Sequence, residues 1–251
     1  MARQKVLVTG MSGLIGNVLR KELEGTHELR ALNRRPVSGV ECHQADLADL
    51  GAIQPAFAGI DTVVHLGAMA KADASWEEVL APNIVGTYNV FEAARLAGVR
   101  RVIFGSSGGA ISNYEREFPY SALTMGRYEE VATWSMVTHL TPPRPAGLYG
   151  CSKVWGETLA RHYSDTYDLS AICVRIGHVC AEDRPSLPRH FSVWCSQRDI
   201  AQLFAKCIAA PAHLRFDVFY GVSDNRWRYR DLEHARLVLG YEPRDRAEDH
   251  R

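Results

Sequence analysis

The chain has 251 residues, which is enough for one large domain or for one domain with a small appendage. Its 29 lysines and arginines balance 29 aspartates and glutamates, so the overall charge does not favour nucleic acid or an anionic membrane as a partner. The six cysteines lack the paired spacing of a zinc site, which predicts reduced thiols, no bound metal and a cytoplasmic protein. The first residues already form a strand pattern and no later apolar run is long, so we expect neither a signal peptide nor a membrane span.

Short apolar runs alternate with amphipathic stretches along most of the chain. In chain order they predict a strand at 6–8, a helix at 14–23, strands at 29–32 and 62–65, a helix at 83–96, a strand at 102–104, a helix at 153–167 and a strand at 171–175. Apolar strands joined by such crossovers are typical of a doubly wound parallel sheet with helices on both faces. The expected fold class is therefore α/β.

The pattern loosens in the last part of the chain. There it predicts a loop with two prolines, a helix near 200–209, a strand near 216–220 and a short helix near 231–239. We interpret residues 1–175 as the main domain, with an insertion at about 108–146, and residues 176–251 as a small substrate-binding region.

Three glycines follow the first predicted strand and open the first predicted helix. Glycine permits a tight turn and a close approach of the backbone to a ligand, and the helix N-terminus offers free N–H groups to phosphate. This pattern predicts a Rossmann dinucleotide-binding domain, although the spacing G-x-x-G-x-x-G differs from the simplest fingerprint. The residues expected at the pyrophosphate are Gly10, Ser12, Gly13, Leu14, Ile15 and Gly16.

The end of the second predicted strand bears on the choice of cofactor. NAD-specific folds tend to carry an acid there, but this chain has Asn33, followed by Arg34 and Arg35. Guanidinium groups bind a 2′-phosphate well, so NADP is favoured and NAD stays possible; the alternative is two solvated loop arginines. The other expected cofactor contacts are Asp46, Leu47, Leu66, Gly67, Ala68, Asn83, Tyr149, Lys153 and Ile176.

Tyr149 and Lys153 stand four residues apart, so on a helix they project from one face. A free tyrosine ionises near pH 10, too high for a base at neutral pH; a nearby ammonium and an oxidised nicotinamide would lower that pKa. Ser107 ends a predicted strand at the carboxyl edge of the sheet and can orient the reacting hydroxyl. We predict these three residues as the catalytic set.

These motifs together resemble the NAD-dependent epimerase/dehydratase branch of the extended short-chain dehydrogenases over almost the whole chain. Within that branch the sequence is most similar to uronate dehydrogenases, on the strength of the segments at 144–153, 174–177, 189–194, 221–225 and 239–243. That resemblance implies oxidation of C1 of a hexuronic acid to a lactone, with Arg189 binding the substrate carboxylate. By analogy it also implies a homodimer through the helices at 83–96 and 153–167.

The departures from uronate dehydrogenases lie in the substrate pocket. Gly108 and Gly109 replace an Asn-His pair after the catalytic serine, while His178 and Ala70 each replace a serine. Lost polar contacts change the selection of hydroxyl-rich sugars, so the exact substrate stays open. The predicted substrate contacts are Ala70, Ser107, Gly108, Gly109, His178 and Arg189.

Three functions and two roles for the insertion follow from these observations. The first function is a dehydrogenase or reductase of a small sugar or sugar acid. The second is a nucleotide-sugar epimerase or dehydratase, which normally needs a larger region than 176–251. The third is a non-catalytic NADP-binding regulator, which would be expected to lack an intact catalytic set.

The insertion at about 108–146 is either a lid over the pocket or a surface segment packed on its own protein.

Overall fold

The structure is a computed structural model that describes residues 3–251. Seven strands form one parallel sheet in the order β3-β2-β1-β4-β5-β6-β7. The strands are β1 (Lys5–Thr9), β2 (Glu28–Asn33), β3 (Glu41–Gln44), β4 (Thr62–His65), β5 (Arg101–Ser107), β6 (Ser170–Ile176) and β7 (Phe216–Gly221). The predicted doubly wound α/β fold is confirmed.

Helices cover both faces of the sheet. They are α1 (Leu14–Leu23), α2 (Leu50–Ile53), α3 (Trp76–Val79), α4 (Gly86–Leu96), α5 (Tyr120–Met125), α6 (Gly147–Tyr167), α7 (His190–Val193), α8 (Gln197–Ala209) and α9 (Glu233–Leu239). Helices α1 and α8 pack on one face, and α4 and α6 pack on the other. None of the helices within residues 3–251 has the length and apolar sequence that crossing a membrane requires.

The strands are apolar because the sheet is buried from both sides. Side chains alternate between the two faces, so Val6 and Val8 pack beneath α1 and α8, while Leu7 packs in the core beneath α4 and α6. All three are fully buried. Burying apolar area contributes about 25 cal/mol per Å², so these two layers supply the main stabilisation of the fold.

The C-terminal region is part of the same sheet. Strand β7 pairs with β6 in parallel register, and α8 packs beside α1 on the same face of the sheet. The predicted boundary after residue 175 therefore falls at the end of a strand inside one continuous sheet, and the assignment of 176–251 to the substrate stays a prediction.

The insertion at 108–146 packs on the C-terminal region. It contains α5 and three short 3₁₀ turns, and it forms a third apolar cluster with Val193, Tyr220 and Tyr229. The hydroxyl of Tyr120 donates to the Ser135 carbonyl within the insertion. The segment is thus folded onto its own chain, and its movement as a lid stays a prediction.

The strand order creates a crevice at the carboxyl edge of the sheet. From β1 the chain winds outward to β2 and β3, then returns so that β4 pairs on the other side of β1. At such a switch point the loops after the two strands diverge and leave room for a ligand.

Candidate active site

A cleft of about 860 Å³ opens at this switch point. It is lined by nearly all the residues that the sequence predicted as contacts of cofactor and substrate. Four predicted residues do not line it: Asn83, Gly108, Gly109 and Arg189. Sequence reasoning missed Met69, Glu78, Pro82 and Val179, which do line it and belong to no motif; Glu78 lies on α3 and Pro82 in the π-helical turn that follows it.

The glycine turn forms a cradle that fits a dinucleotide pyrophosphate. Gly10 has a positive φ of 70°, and a Cβ there would lie 2.8 Å from the Gly67 backbone. A Cβ at Gly16 would lie 2.6 Å from Met11. Only glycine permits both approaches, and together they hold the N-terminus of α1 open toward the cleft, where its free N–H groups can bind phosphate.

Asn33 holds the glycine turn. Its Nδ2 donates to the Ser12 hydroxyl at 2.7 Å, and its Oδ1 accepts from the Met11 N–H at 2.9 Å. Arg34 and Arg35 line the cleft with exposed side chains, and neither is in an ion pair among the residues that the structure describes. The end of β2 therefore offers two free guanidiniums and no carboxylate.

Ser107, Tyr149 and Lys153 meet in the cleft. Tyr149 and Lys153 both lie on α6, and the Lys153 Nζ donates to the Gly105 carbonyl oxygen at 2.8 Å. Burial lowers the pKa of Lys153 to about 8, although the Glu157 carboxylate opposes the shift. Burial raises the pKa of Tyr149, and its hydrogen bond with Ser107 only partly opposes this. In the protein without its cofactor, desolvation is therefore the larger effect on Tyr149, and the expected lowering of its pKa in the presence of an oxidised nicotinamide stays a prediction.

A buried ionic network beneath the predicted catalytic set escaped the sequence analysis. Glu157 accepts hydrogen bonds from Ser106 at 2.6 Å and from the Arg175 guanidinium at 2.8 and 2.9 Å. Arg175 also donates to the Tyr220 hydroxyl at 2.9 Å. The network ties α6 to three strands, so it fixes the helix that carries Tyr149. The only signal in the sequence was that Glu157 follows Lys153 by four residues.

Asn83 supports the cleft from behind. Its amide pairs with the backbone of Met69 at 2.8 and 3.0 Å and donates to the Ser152 hydroxyl at 3.0 Å. All its hydrogen-bonding groups that point toward the site are thereby engaged. Asn83 joins the loop after β4 to α6, and its predicted contact with the cofactor stays a prediction.

The substrate end of the cleft is lined by His178, whose ring stacks on that of His190 at 3.6 Å. Burial and the nearby charge of Arg189 lower the pKa of His178, so its ring is neutral at pH 7. Arg189 itself binds Glu115 through two hydrogen bonds of 2.5 and 2.8 Å. A substrate carboxylate at Arg189, as the resemblance implies, would have to replace Glu115 or bind beside it at Nη1.

Three potential metal ligands meet outside this site. His139, Asp217 and His234 place ligand atoms within 4.8 Å of one another. The His234 Nε2 donates to Asp217 at 2.7 Å, and the His139 ring stacks on His234 at 3.6 Å. The nitrogens of two stacked rings lie in parallel planes and do not converge on one point between them. We therefore interpret the cluster as a hydrogen-bonded pair, His234 and Asp217, with His139 stacked on it. It joins the insertion to β7 and α9.

Known proteins share both the sequence pattern and the fold. The sequence pattern of the NAD dependent epimerase/dehydratase family matches residues 6–198. The chain belongs to this family. It is accordingly an enzyme of the extended short-chain dehydrogenase/reductase type, and its cradle is that of a nicotinamide dinucleotide.

Two similar proteins come from Haloferax volcanii. An NAD-dependent glucose-6-phosphate dehydrogenase is 35% identical, and the match covers 97% of this chain and 94% of that protein. An L-arabinose 1-dehydrogenase (NAD(P)(+)) is 32% identical, and the match covers 97% of both chains.

The fold is also that of a solved uronate dehydrogenase. A variant of the Agrobacterium tumefaciens enzyme, crystallised with NAD, superposes with a TM-score of 0.83 at 35% identity, covering 99% of this chain and 87% of that one. The similarity to uronate dehydrogenases inferred from the sequence is thereby confirmed.

Proposed function

We propose that this enzyme oxidises C1 of a small sugar or sugar acid, transferring a hydride to a nicotinamide dinucleotide. The observation that carries the proposal is the meeting of Ser107, Tyr149 and Lys153 in the cleft that also contains the glycine cradle. Relatives that act on glucose 6-phosphate, arabinose and uronates support a sugar as the substrate. The intact catalytic set disfavours a non-catalytic regulator.

Each catalytic side chain has a distinct task in this reaction. When bound, the nicotinamide accepts the hydride at C4. Ser107 holds the C1 hydroxyl of the sugar by a hydrogen bond, and Tyr149 removes its proton as the hydride leaves C1. Lys153 stabilises the tyrosinate by its positive charge, which favours the ionised form that burial disfavours. The product of a ring-closed sugar is the lactone.

NADP is the cofactor that the end of β2 favours. Asn33 carries no charge, and its amide is engaged in the glycine turn. Arg34 and Arg35 are exposed and line the cleft beside it. A 2′-phosphate would gain charge-assisted hydrogen bonds there, and the absence of a carboxylate at residue 33 removes a repulsion. A relative that carries NAD(P)(+) in its name supports use of both cofactors.

We also propose that the enzyme is a cytoplasmic protein that forms a homodimer through α4 and α6. Helices α4 and α6 pack side by side and present exposed large apolar side chains, among them Tyr88, Leu96, Trp155 and Tyr167. A second copy would cover this surface, which is costly to leave in water. Light scattering of the wild type and of Trp155→Glu tests the dimer, and the substitution is expected to give a monomer.

A spectrophotometric substrate panel tests the function. Uronic acids, aldoses and simple carbonyl compounds are each offered with NAD(H) and NADP(H), and the appearance or loss of reduced nicotinamide is followed. We expect turnover of free sugars. Conversion of a nucleotide sugar without turnover of any free sugar would replace this proposal by an epimerase or dehydratase.

A further inference from the structure

An ionic cluster lies behind the catalytic serine, formed by Glu115, Arg189, Tyr229 and Arg230. Arg189 donates from Nε and Nη2 to the two carboxylate oxygens of Glu115, and the Tyr229 hydroxyl donates to the same carboxylate at 2.6 Å. The Glu115 side chain is only 13% exposed. Although burial opposes the shift, Arg189 and then Arg230 hold the pKa of Glu115 below its ordinary value, so the carboxylate stays ionised.

The cluster begins next to the reaction centre. Arg230 is 1% exposed, and its Nη2 lies 3.7 Å from Glu115 Oε1. A Cβ at Gly108 would lie 2.4 Å from the Arg230 guanidinium nitrogens, so the guanidinium packs directly on the residue that follows Ser107. Glycine at position 108 is what makes room for this side chain.

An anionic substrate needs a cation with free donors near the reaction centre. Guanidinium binds carboxylate or phosphate best when both N–H groups of its fork are available. Glu115 occupies Nε and Nη2 of Arg189 and leaves Nη1 of this half-exposed side chain, while Arg230 is buried behind Gly108. Neither arginine lines the cleft.

The substrate end of the cleft itself carries little charge. Among the described residues that line the cleft, the charged ones are Arg34, Arg35, Asp46, Glu78 and Lys153. Only Lys153 lies beside Tyr149, and its ammonium already donates to the Gly105 carbonyl. His178 is neutral because burial, aided by Arg189, lowers its pKa.

From this arrangement we infer that Glu115 takes the place of a substrate carboxylate, and that the enzyme selects uncharged sugars over uronates and sugar phosphates. The inference rests on the proposed function and narrows its substrate class. An incoming carboxylate either displaces Glu115, which leaves that charge without its partner, or binds Nη1 of Arg189 beside Glu115, whose negative charge weakens the attraction. Both alternatives disfavour the anionic sugar relative to the neutral one.

The wild-type enzyme gives the first test. Galactose is compared with galacturonate, and glucose with glucuronate and glucose 6-phosphate, at saturating cofactor. We expect kcat/KM to be at least about tenfold higher for the neutral sugar of each set. A preference for the anionic sugars overturns the inference while the proposed function stands. No oxidation and no calorimetric binding of any of the five sugars overturns both.

The variant Glu115→Gln gives the second test, because glutamine keeps the shape and removes the charge. We expect the ratio of kcat/KM for galacturonate to that for galactose to rise about tenfold. The matched control is Glu117→Gln on the same segment, whose exposed carboxylate pairs with Arg144 at 2.7 Å. An unchanged ratio in folded Glu115→Gln, or an equal rise in the control, overturns the role of Glu115. If Glu115→Gln does not fold, the wild-type comparison still decides.

Discussion

The Ser106 hydroxyl donates a hydrogen bond of 2.6 Å to the Glu157 carboxylate, and this contact joins the end of β5 to the middle of α6. Ser106 precedes Ser107, the predicted catalytic serine, and Glu157 lies one helical turn after Lys153. The same carboxylate pairs with Arg175 on β6. The relative position of the predicted catalytic side chains therefore depends on one buried ionic network.

Substitution of Glu157 by glutamine should destabilise the fold. The Arg175 and Glu157 side chains are 3% and 8% exposed, so removal of the carboxylate charge leaves a guanidinium buried without its partner. We expect a loss of about 3 kcal/mol in the free energy of unfolding, measured by urea denaturation. The control Asp165→Asn breaks an exposed pair with Arg161 on the same helix and should cost less than about 0.5 kcal/mol. Similar losses for both variants would contradict the prediction.

Substitution of Tyr149 by phenylalanine should abolish proton transfer while the cofactor still binds. The variant loses only the hydroxyl, so we expect kcat to fall by about 10²–10⁴-fold. Fluorescence titration should give nearly the same Kd for the reduced cofactor as in the wild type. The control is Tyr167→Phe at the far end of the same helix, which keeps the aromatic ring on the proposed dimer surface and should keep full activity. Substantial turnover by Tyr149→Phe would rule out its role as the base.

Substitution of Arg34 by alanine should weaken NADP(H) more than NAD(H). The guanidinium is exposed in the cleft, and only the 2′-phosphate distinguishes the two cofactors. A lost charge-assisted contact corresponds to about tenfold or more in the KM for NADP. Arg100→Ala is the control. Arg100 precedes β5 at the amino ends of the strands, away from the cleft, and pairs with Asp61. Equal effects on both cofactors would count against a phosphate site.

Acid should destabilise the protein through His65. The ring is 2% exposed and is held by Thr9 and Thr87, and burial, followed by the Lys153 charge, lowers its pKa from 6.5 to about 3. Because the pKa of His65 is depressed in the folded protein, the stability that its neutral ring contributes is complete above pH 6.5. That stability is lost as the pH falls toward 3. Between pH 7 and pH 5 the loss is about 2 kcal/mol.

Urea denaturation of His65→Gln across the same pH range measures this effect. The variant should show a shallower decline of stability with acid than the wild type. Exposed His213→Gln should keep the wild-type slope. If the slope of His65→Gln equals that of the wild type, another group causes the acid sensitivity.

Much of the fold follows from local patterns in the sequence. The predicted helix at 14–23 and the predicted strand at 62–65 coincide with α1 and β4. In both cases the apolar period and the flanking turn residues agree with the tertiary environment.

The start of α6 could not be predicted in the same way. This helix begins at Gly147, six residues before the predicted start at 153. The prediction started too late because Gly147 and Gly150 are poor helix formers. The reason for glycine appears only in three dimensions: a Cβ at Gly150 would lie 2.5 Å from the Gly109 carbonyl oxygen. Likewise, the predicted helix at 83–96 is α-helical only from Gly86, after a π-helical turn at Leu80–Val85.

By itself, the sequence determined the chemistry of this protein, because a glycine turn and a Tyr-x-x-x-Lys pair act over a few residues. The tertiary structure alone decided which of its charges are free to meet a substrate. Glu115 and Arg189 are 74 residues apart in the chain, and their pairing depends on how the insertion folds against the loop before α7. An ion pair between distant segments leaves no periodicity or spacing in the sequence, since it is fixed only by packing.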